Sequence, residues 1–291
     1  MILPGSTSQA LTAELARETG ERLLQPTFRR FPDGELMAAV DEDDATAVEG
    51  ERVVVVAATQ TSDAHLELLQ LQDAAREAGA SEVVTVIPYM GYARQDRAFK
   101  PGQPVSARAV ARAVSTGTDR AVLVSPHEPD VGEAFDVPCE TVDAAGRLAA
   151  PLPDLGDPLF LSPDEGAIEL AATVRDTYGA GETDYFVKER DYDTGAVSVE
   201  PNDAPVADRD VVLVDDIVAT GSTMSESIAV LRERGADRVF VTCVHPLLAA
   251  SARTKLEGAG VEAIYGTDTL ERDVSVVSAA PVVAEALRGS D

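Results

Sequence analysis

The residues with the clearest chemical purpose lie in VVLVDDIVATGST, positions 211–223. Four apolar residues run into two adjacent carboxylates, Asp215 and Asp216. A small-residue loop follows, Ala219-Thr220-Gly221-Ser222-Thr223, and then the helical pattern MSESIAVLRERGA. The apolar run predicts a buried strand, and ligands of open α/β sheets gather beyond the carboxyl ends of such strands. A small-residue loop that opens a helix presents backbone N–H groups and the positive helix end to a phosphate. The hydroxyls of Thr220, Ser222 and Thr223 add donors. Paired carboxylates ahead of the loop can accept hydrogen bonds from a sugar diol or hold a metal. The loop lacks GxxxxGK[ST], so it is not a Walker-type phosphate loop. A helix cap beside solvated acids is the plainer reading of TGST alone; the strand and acid pair ahead of it favour a phosphosugar.

Four further stretches carry polar groups of the right kind. Phe31, with Asp33, Gly34 and Glu35 after it, supplies an apolar face for a purine and two acceptors, although PDG by itself is simply a turn. Arg94, Gln95 and Asp96 follow a predicted strand and offer planar donors suited to a nucleotide, or a surface ion-pair cluster. His127 follows the strand RAVLV at the end where ligands bind. In FVKERDYDTGAVSVE, read as a hairpin around Asp193-Thr194-Gly195, strand alternation puts Phe186, Lys188 and Arg190 on one face. Two cations there can meet the charge of a phosphoryl group in transfer. His65, His245, Cys139 and Cys243 belong to no such pattern and read as structural.

The elements that must position these residues alternate between strand and helix. ERVVVVAATQ, EVVTVIPY and RAVLVSP read as strands, separated by HLELLQLQDAAREAGA and VSARAVARAVSTG as helices. The second half repeats the alternation, which implies parallel sheets flanked by helices. Residues 53–89 also lie over residues 211–246, strand on strand and helix on helix. Two related α/β domains are therefore expected, with a breakpoint near 143–155, where proline and glycine interrupt the periodicity. The expected bounds are 1–145, joined by a C-terminal helix in 275–291, and 146–274. Where the second copy has Asp215 and Asp216, the first has Ala57 and Ala58, so one half alone should hold the phosphorylated substrate.

Length and charge set the remaining bounds. The 291 residues allow one large or two medium domains. With 51 Asp and Glu against 24 Lys and Arg, the net charge is −27. The acids are spread along the chain, which argues against a nucleic-acid partner and for a salt-rich cytoplasm that screens self-repulsion. No apolar run is long enough to span a membrane, and MILPGSTSQA lacks the regions of a signal peptide, so a cytoplasmic location is expected.

VVLVDDIVATGST resembles the phosphoribosyl-diphosphate binding signature shared by type I phosphoribosyltransferases and ribose-phosphate pyrophosphokinases. Five other stretches favour the second family: RRFPDGEL (29–36), GYARQDR (91–97), SPHEPDVGEAF (125–135), SPDEGA (162–167) and FVKER (186–190). They are similar to its motifs in order along nearly the whole chain. The resemblance implies two phosphoribosyltransferase-like domains, each a mainly parallel sheet flanked by helices. It implies diphosphoryl transfer from ATP to ribose 5-phosphate, giving 5-phosphoribosyl 1-diphosphate and AMP for nucleotide biosynthesis. It assigns ATP to Phe31, Asp33, Gly34, Glu35, Arg94, Gln95 and Asp96. The sugar phosphate falls to Arg190, Asp215, Asp216 and Ala219 to Thr223, and catalysis to Lys188 and Arg190. Mg²⁺ is assigned to His127 and Asp164, although imidazole is an unusual ligand for that ion. Ser125-Pro126 stands where the family commonly has Asp-Leu. A halophilic source and a homo-oligomer are also expected.

Overall fold

The computed structural model describes residues 1–190, 197–202 and 204–289, with the side chains of 188–190 and 197–200 outside the description. It divides into two compact units. The first comprises Met1–Asp143, Asp268–Glu271 and Ser278–Asp291; the second comprises Ala144–Thr267 and Arg272–Val277.

In the first unit the chain runs β1 (Ile2–Pro4), α1 (Gln9–Thr19), β2 (Pro26–Arg30), β3 (Leu36–Val40), α2 (Glu42–Ala45), β4 (Arg52–Val56), α3 (Ser62–Glu77), β5 (Glu82–Ile87), α4 (Ser106–Ser115), β6 (Arg120–Val124) and β7 (Cys139–Val142). Five of these strands form a parallel sheet in the order β1-β4-β5-β6-β7. The valines of β4 are fully buried, as a parallel strand covered on both faces requires. β2 and β3 form a separate antiparallel hairpin. It is tied to α3 by Gln70, whose side chain accepts from Ala38 N and donates to Leu36 O, each at 2.8 Å.

The second unit holds β8 (Leu159–Ser162), α5 (Ile168–Tyr178), β9 (Glu182–Arg190), β10 (Val197–Pro201), β11 (Val211–Ile217), α6 (Ser222–Glu233), β12 (Val239–His245), α7 (Ala252–Ala259), β13 (Ala263–Thr267) and β14 (Ser275–Val277). Its seven-stranded sheet has the order β10-β9-β8-β11-β12-β13-β14, parallel except for the β9–β10 pair. From β8 the chain adds β9 and β10 on one side, then returns to place β11, β12, β13 and β14 on the other. The strand order thus reverses between β8 and β11, and in open α/β sheets ligands bind outside the carboxyl ends of the strands at such a point. The final helix, α8 (Ala280–Arg288), packs on α1 in the first unit. No described helix is long and apolar enough to cross a membrane.

Candidate active site

At the carboxyl ends of β8 and β11 the second unit places three acids, Asp164, Asp215 and Asp216. Val211 to Val214 are fully buried, anchored in register to β8 and β12, and this run carries Asp215 and Asp216 out to a half-buried position. Asp215 Oδ1 accepts from Asp216 N at 2.9 Å, and Asp216 Oδ1 accepts from Ile217 N at 2.8 Å, which fixes both carboxylates against their own backbone. Asp164 stands on the neighbouring strand end, exposed at the start of a single 3₁₀ turn. Burial, the adjacent Asp216 and the charge of Asp164 together hold the Asp215 carboxyl well above the usual carboxylate range. A carboxylate held with its proton beside two further acids marks a candidate place to receive donors or a cation.

Beyond the acids the chain turns into α6 through Gly221. Its φ of 71° is left-handed, and a Cβ there would lie 3.1 Å from Ala252 O, so glycine suits both the turn and the close packing. No side chain among the described residues caps the start of α6, so its first N–H groups have no side-chain acceptor there. Thr220 and Thr223 are exposed at this end and Ser222 is half-buried. A second loop braces the first: Leu248 N donates to Val218 O and Ala249 N to Ala219 O, both at 2.9 Å. Leu248 and Ala250 hold left-handed φ values of 43° and 52°. Strained non-glycine backbone of this kind persists where surrounding structure enforces it, and the sequence HPLLAAS had no signal for that role. Burial pushes the Cys243 thiol up, so it stays protonated within the core beside Asp215.

The hairpin of the second unit is only partly described. β9 and β10 pair antiparallel with Lys188 opposite Val199 and Arg190 opposite Val197. Phe186 is buried in the core. The side chains of Lys188 and Arg190, and the turn with Asp193-Thr194-Gly195, lie outside the described residues.

In the first unit, Phe31 to Glu35 form the tip of the β2–β3 hairpin. Gly34 N bonds Phe31 O and Phe31 N bonds Glu35 O, both at 2.9 Å, with Gly34 at φ 94°. This is a three-residue hairpin loop closed by a left-handed glycine, so the turn reading of PDG holds, and Asp33 and Glu35 stand exposed on it. The Arg29 guanidinium lies 4.8 Å from the centroid of the Phe31 ring and covers one of its faces. Arg30 pairs with Asp63 in the first turn of α3. Tyr92 hydrogen-bonds Ser62 in that same turn at 2.9 Å, so the hairpin tip and the Tyr92–Arg97 loop both converge on the start of α3. Arg94 is exposed. Gln95 donates to Pro104 O at 3.2 Å and accepts from Ser106 Oγ at 2.5 Å, engagements that tie the loop to α4. Asp96 lines a cleft of about 280 Å³ together with Arg108, Glu128, Asp130 and Glu133. Burial lowers His65 to about 4, and its neutral ring packs 5.4 Å from Tyr92, a structural role.

His127 is exposed just after β6. The preceding Ser125 has φ 38°, an uncommon conformation for a residue with a side chain. Its N–H bonds Val142 O at 2.8 Å and its hydroxyl lies 3.2 Å from Asp143 Oδ1. The sequence departure at Ser125-Pro126 thus sits on held backbone. His127 belongs to the first unit and Asp164 to the second. Among the described residues no three His, Cys, Asp or Glu side chains cluster as a metal cage.

Residues 1–117 match the family model of the N-terminal domain of ribose phosphate pyrophosphokinase, and residues 142–277 match the phosphoribosyl transferase domain. A ribose-phosphate pyrophosphokinase from Halobacterium salinarum is 64% identical over 99% of this chain and 100% of its own length. The chain belongs to the ribose-phosphate pyrophosphokinase family. One from Methanosarcina mazei is 43% identical over 99% of this chain and 95% of the relative. The crystal structure of phosphoribosylpyrophosphate synthetase from Mycobacterium smegmatis superposes with a TM-score of 0.83 at 27% identity, covering 99% of this chain and 97% of the other. The chain is thus an enzyme of two phosphoribosyltransferase-type domains, and the PRPP-forming reaction expected from its motifs is that of its family. The Halobacterium relative also agrees with the halophilic source expected from the charge.

Proposed function

We propose that the region outside the carboxyl ends of β8 and β11 binds ribose 5-phosphate and presents its anomeric hydroxyl to ATP. Asp215 and Asp216 accept hydrogen bonds from the ribose hydroxyls. The backbone of Ala219 to Thr223, with the hydroxyls of Thr220, Ser222 and Thr223, holds the 5-phosphate. ATP is bound through Phe31, Asp33, Gly34 and Glu35 of the hairpin tip and through Arg94, Gln95 and Asp96. The anomeric oxygen forms a bond to the β-phosphorus as the bond from that phosphorus to the α,β-bridging oxygen breaks. AMP leaves with the electron pair, and the hydroxyl proton passes to solvent or a nearby base. Lys188 and Arg190 meet the charge that shifts in this step.

The donor set suits Mg²⁺ that arrives with the nucleotide. Asp164 offers hard oxygens, and Mg²⁺ commonly takes only one or two carboxylates beside substrate phosphates and water. His127 is assigned to the same ion. Bound Mg²⁺ would supply neutralisation of the phosphate charge. The observation that carries the reading is the start of α6, without a side-chain cap among the described residues, directly beyond a half-buried acid pair at the reversal of strand order.

Incubation with ATP, Mg²⁺ and ribose 5-phosphate tests it. AMP and 5-phosphoribosyl 1-diphosphate are expected. ADP would mean an ordinary kinase, and no turnover would favour a silent assembly partner. We further propose a cytoplasmic homo-oligomer that binds no nucleic acid or membrane, which sedimentation with and without DNA or vesicles would check.

A further inference from the structure

The chain uses lysine three times among its 24 basic residues, at Lys100, Lys188 and Lys255. Lys255 falls in no motif of the sequence, yet in α7 its Nζ donates to Ser222 Oγ at 2.9 Å, at the first residue of α6. The neighbouring cation on the same helix, Arg253, is taken up by Asp273 and Glu257. Lys255 forms no ion pair with a carboxylate among the described residues. Its ammonium carries three N–H donors, of which Ser222 takes one. A donor directed into the oxygen of Ser222 also turns that hydroxyl's proton outward, toward an acceptor. In a protein of net charge −27, a cation without a carboxylate partner among the described residues stands beside the start of a helix that has no side-chain cap there.

We infer that Lys255 is a positioning and specificity residue for the sugar 5-phosphate. It orients Ser222 and adds a contact charge beside Ala219–Thr223, so that phosphorylated ribose is preferred over ribose. The inference rests on the assignment of the 5-phosphate to that loop. α7, which carries Lys255, follows directly on the loop whose Leu248 and Ala249 brace Val218 and Ala219, so adjoining segments hold that loop and place the cation beside it.

The test compares the full-length parent enzyme with Lys255→Met and Lys255→Arg in about molar KCl, where charges beyond about 3 Å are screened. Lys255→Met is expected to raise KM for ribose 5-phosphate about tenfold, the scale of one charge-assisted hydrogen bond. Its kcat should stay within about twofold, as expected when an interaction equal in ground and transition states is lost, with KM for ATP and melting temperature unchanged. Lys255→Arg should recover most of the loss. Calorimetric titration with ribose 5-phosphate, and with ribose as the uncharged probe, should show the Met variant weakened for the phosphate alone. Parent-like affinity for ribose 5-phosphate in Lys255→Met overturns the inference. So does an equal loss for both sugars, which would mark a structural role. A parent that releases no AMP counts against the reaction instead, and titration still decides the place of Lys255.

Discussion

The two units repeat one strand-turn-helix unit and use it in opposite ways. In the first, β4 leads through Ala57 and Ala58, both fully buried, to α3, whose start is capped by its own Thr61, which accepts from Ala64 N at 3.1 Å. The backbone there is satisfied from within: Ser8 Oγ accepts from Ala58 N and Thr7 Oγ1 donates to Ala58 O. In the second, β11 leads through two half-buried acids to α6, which no side chain among the described residues caps. The sheets differ in the same sense. In the first the strands β4, β5, β6 and β7 follow β1 without a reversal, whereas the second reverses between β8 and β11. A helix end that caps itself stabilises the fold; one that is left open, above a switch point, is available to a ligand. The same supersecondary unit is therefore closed from within once and left open once, and the open copy is the one proposed to hold the sugar phosphate.

The largest test of that division removes a cation of the second unit. Lys188→Ala should lower turnover by about 10²–10³, the typical effect of deleting one preorganised donor, with melting temperature and ATP affinity near the parent. A variant with most of its turnover would take the hairpin out of the active site. Gly221→Val comes next. It forces a β-branched residue into φ 71° and against Ala252, and should weaken ribose 5-phosphate binding at least about tenfold while ATP affinity measured directly changes little. Equal loss of both ligands would indicate unfolding instead.

The acid pair should show function held against stability. Because the folded Asp215 has its pKa raised by burial and by Asp216, it contributes stability in full below its unfolded pKa and loses it as pH rises through the raised value. At neutral pH Asp215→Asn is therefore expected to melt higher than the parent, by about 2–4 °C for a gain on the order of 1 kcal/mol, while KM for ribose 5-phosphate rises. The advantage should vanish below about pH 4. Melting curves from pH 3 to 8 check the sign, and an advantage independent of pH would separate it from the titration of Asp215. The smallest effect belongs to the scaffold copy. Thr61→Ala should cost about 1 kcal/mol in urea denaturation through the lost cap, with KM for ribose 5-phosphate unchanged. A rise in that KM would join the first unit to sugar binding.

Much of this was legible in the residues. Buried valine runs and amphipathic helices announced alternating α/β structure because burial on both faces of a parallel sheet favours continuous apolar runs. The acids and small-residue loop could be read because they follow at once on a buried apolar strand, where neither type is expected without a partner. Short elements such as β1, β7 and β14 escaped, being too brief for periodicity to distinguish them. What the chain's order of residues could not convey was adjacency between distant segments. That Asp164 stands beside Asp215, that Leu248 and Ala249 brace Val218 and Ala219, and that Lys255 reaches Ser222 all follow from which strands neighbour one another. The sequence by itself determined the identity of the chemical groups and the local elements that carry them, since these depend on side-chain type and short-range spacing. The tertiary structure alone decided which of those groups meet, because the reversal of strand order between β8 and β11 is set by long-range packing and leaves no local mark on the chain.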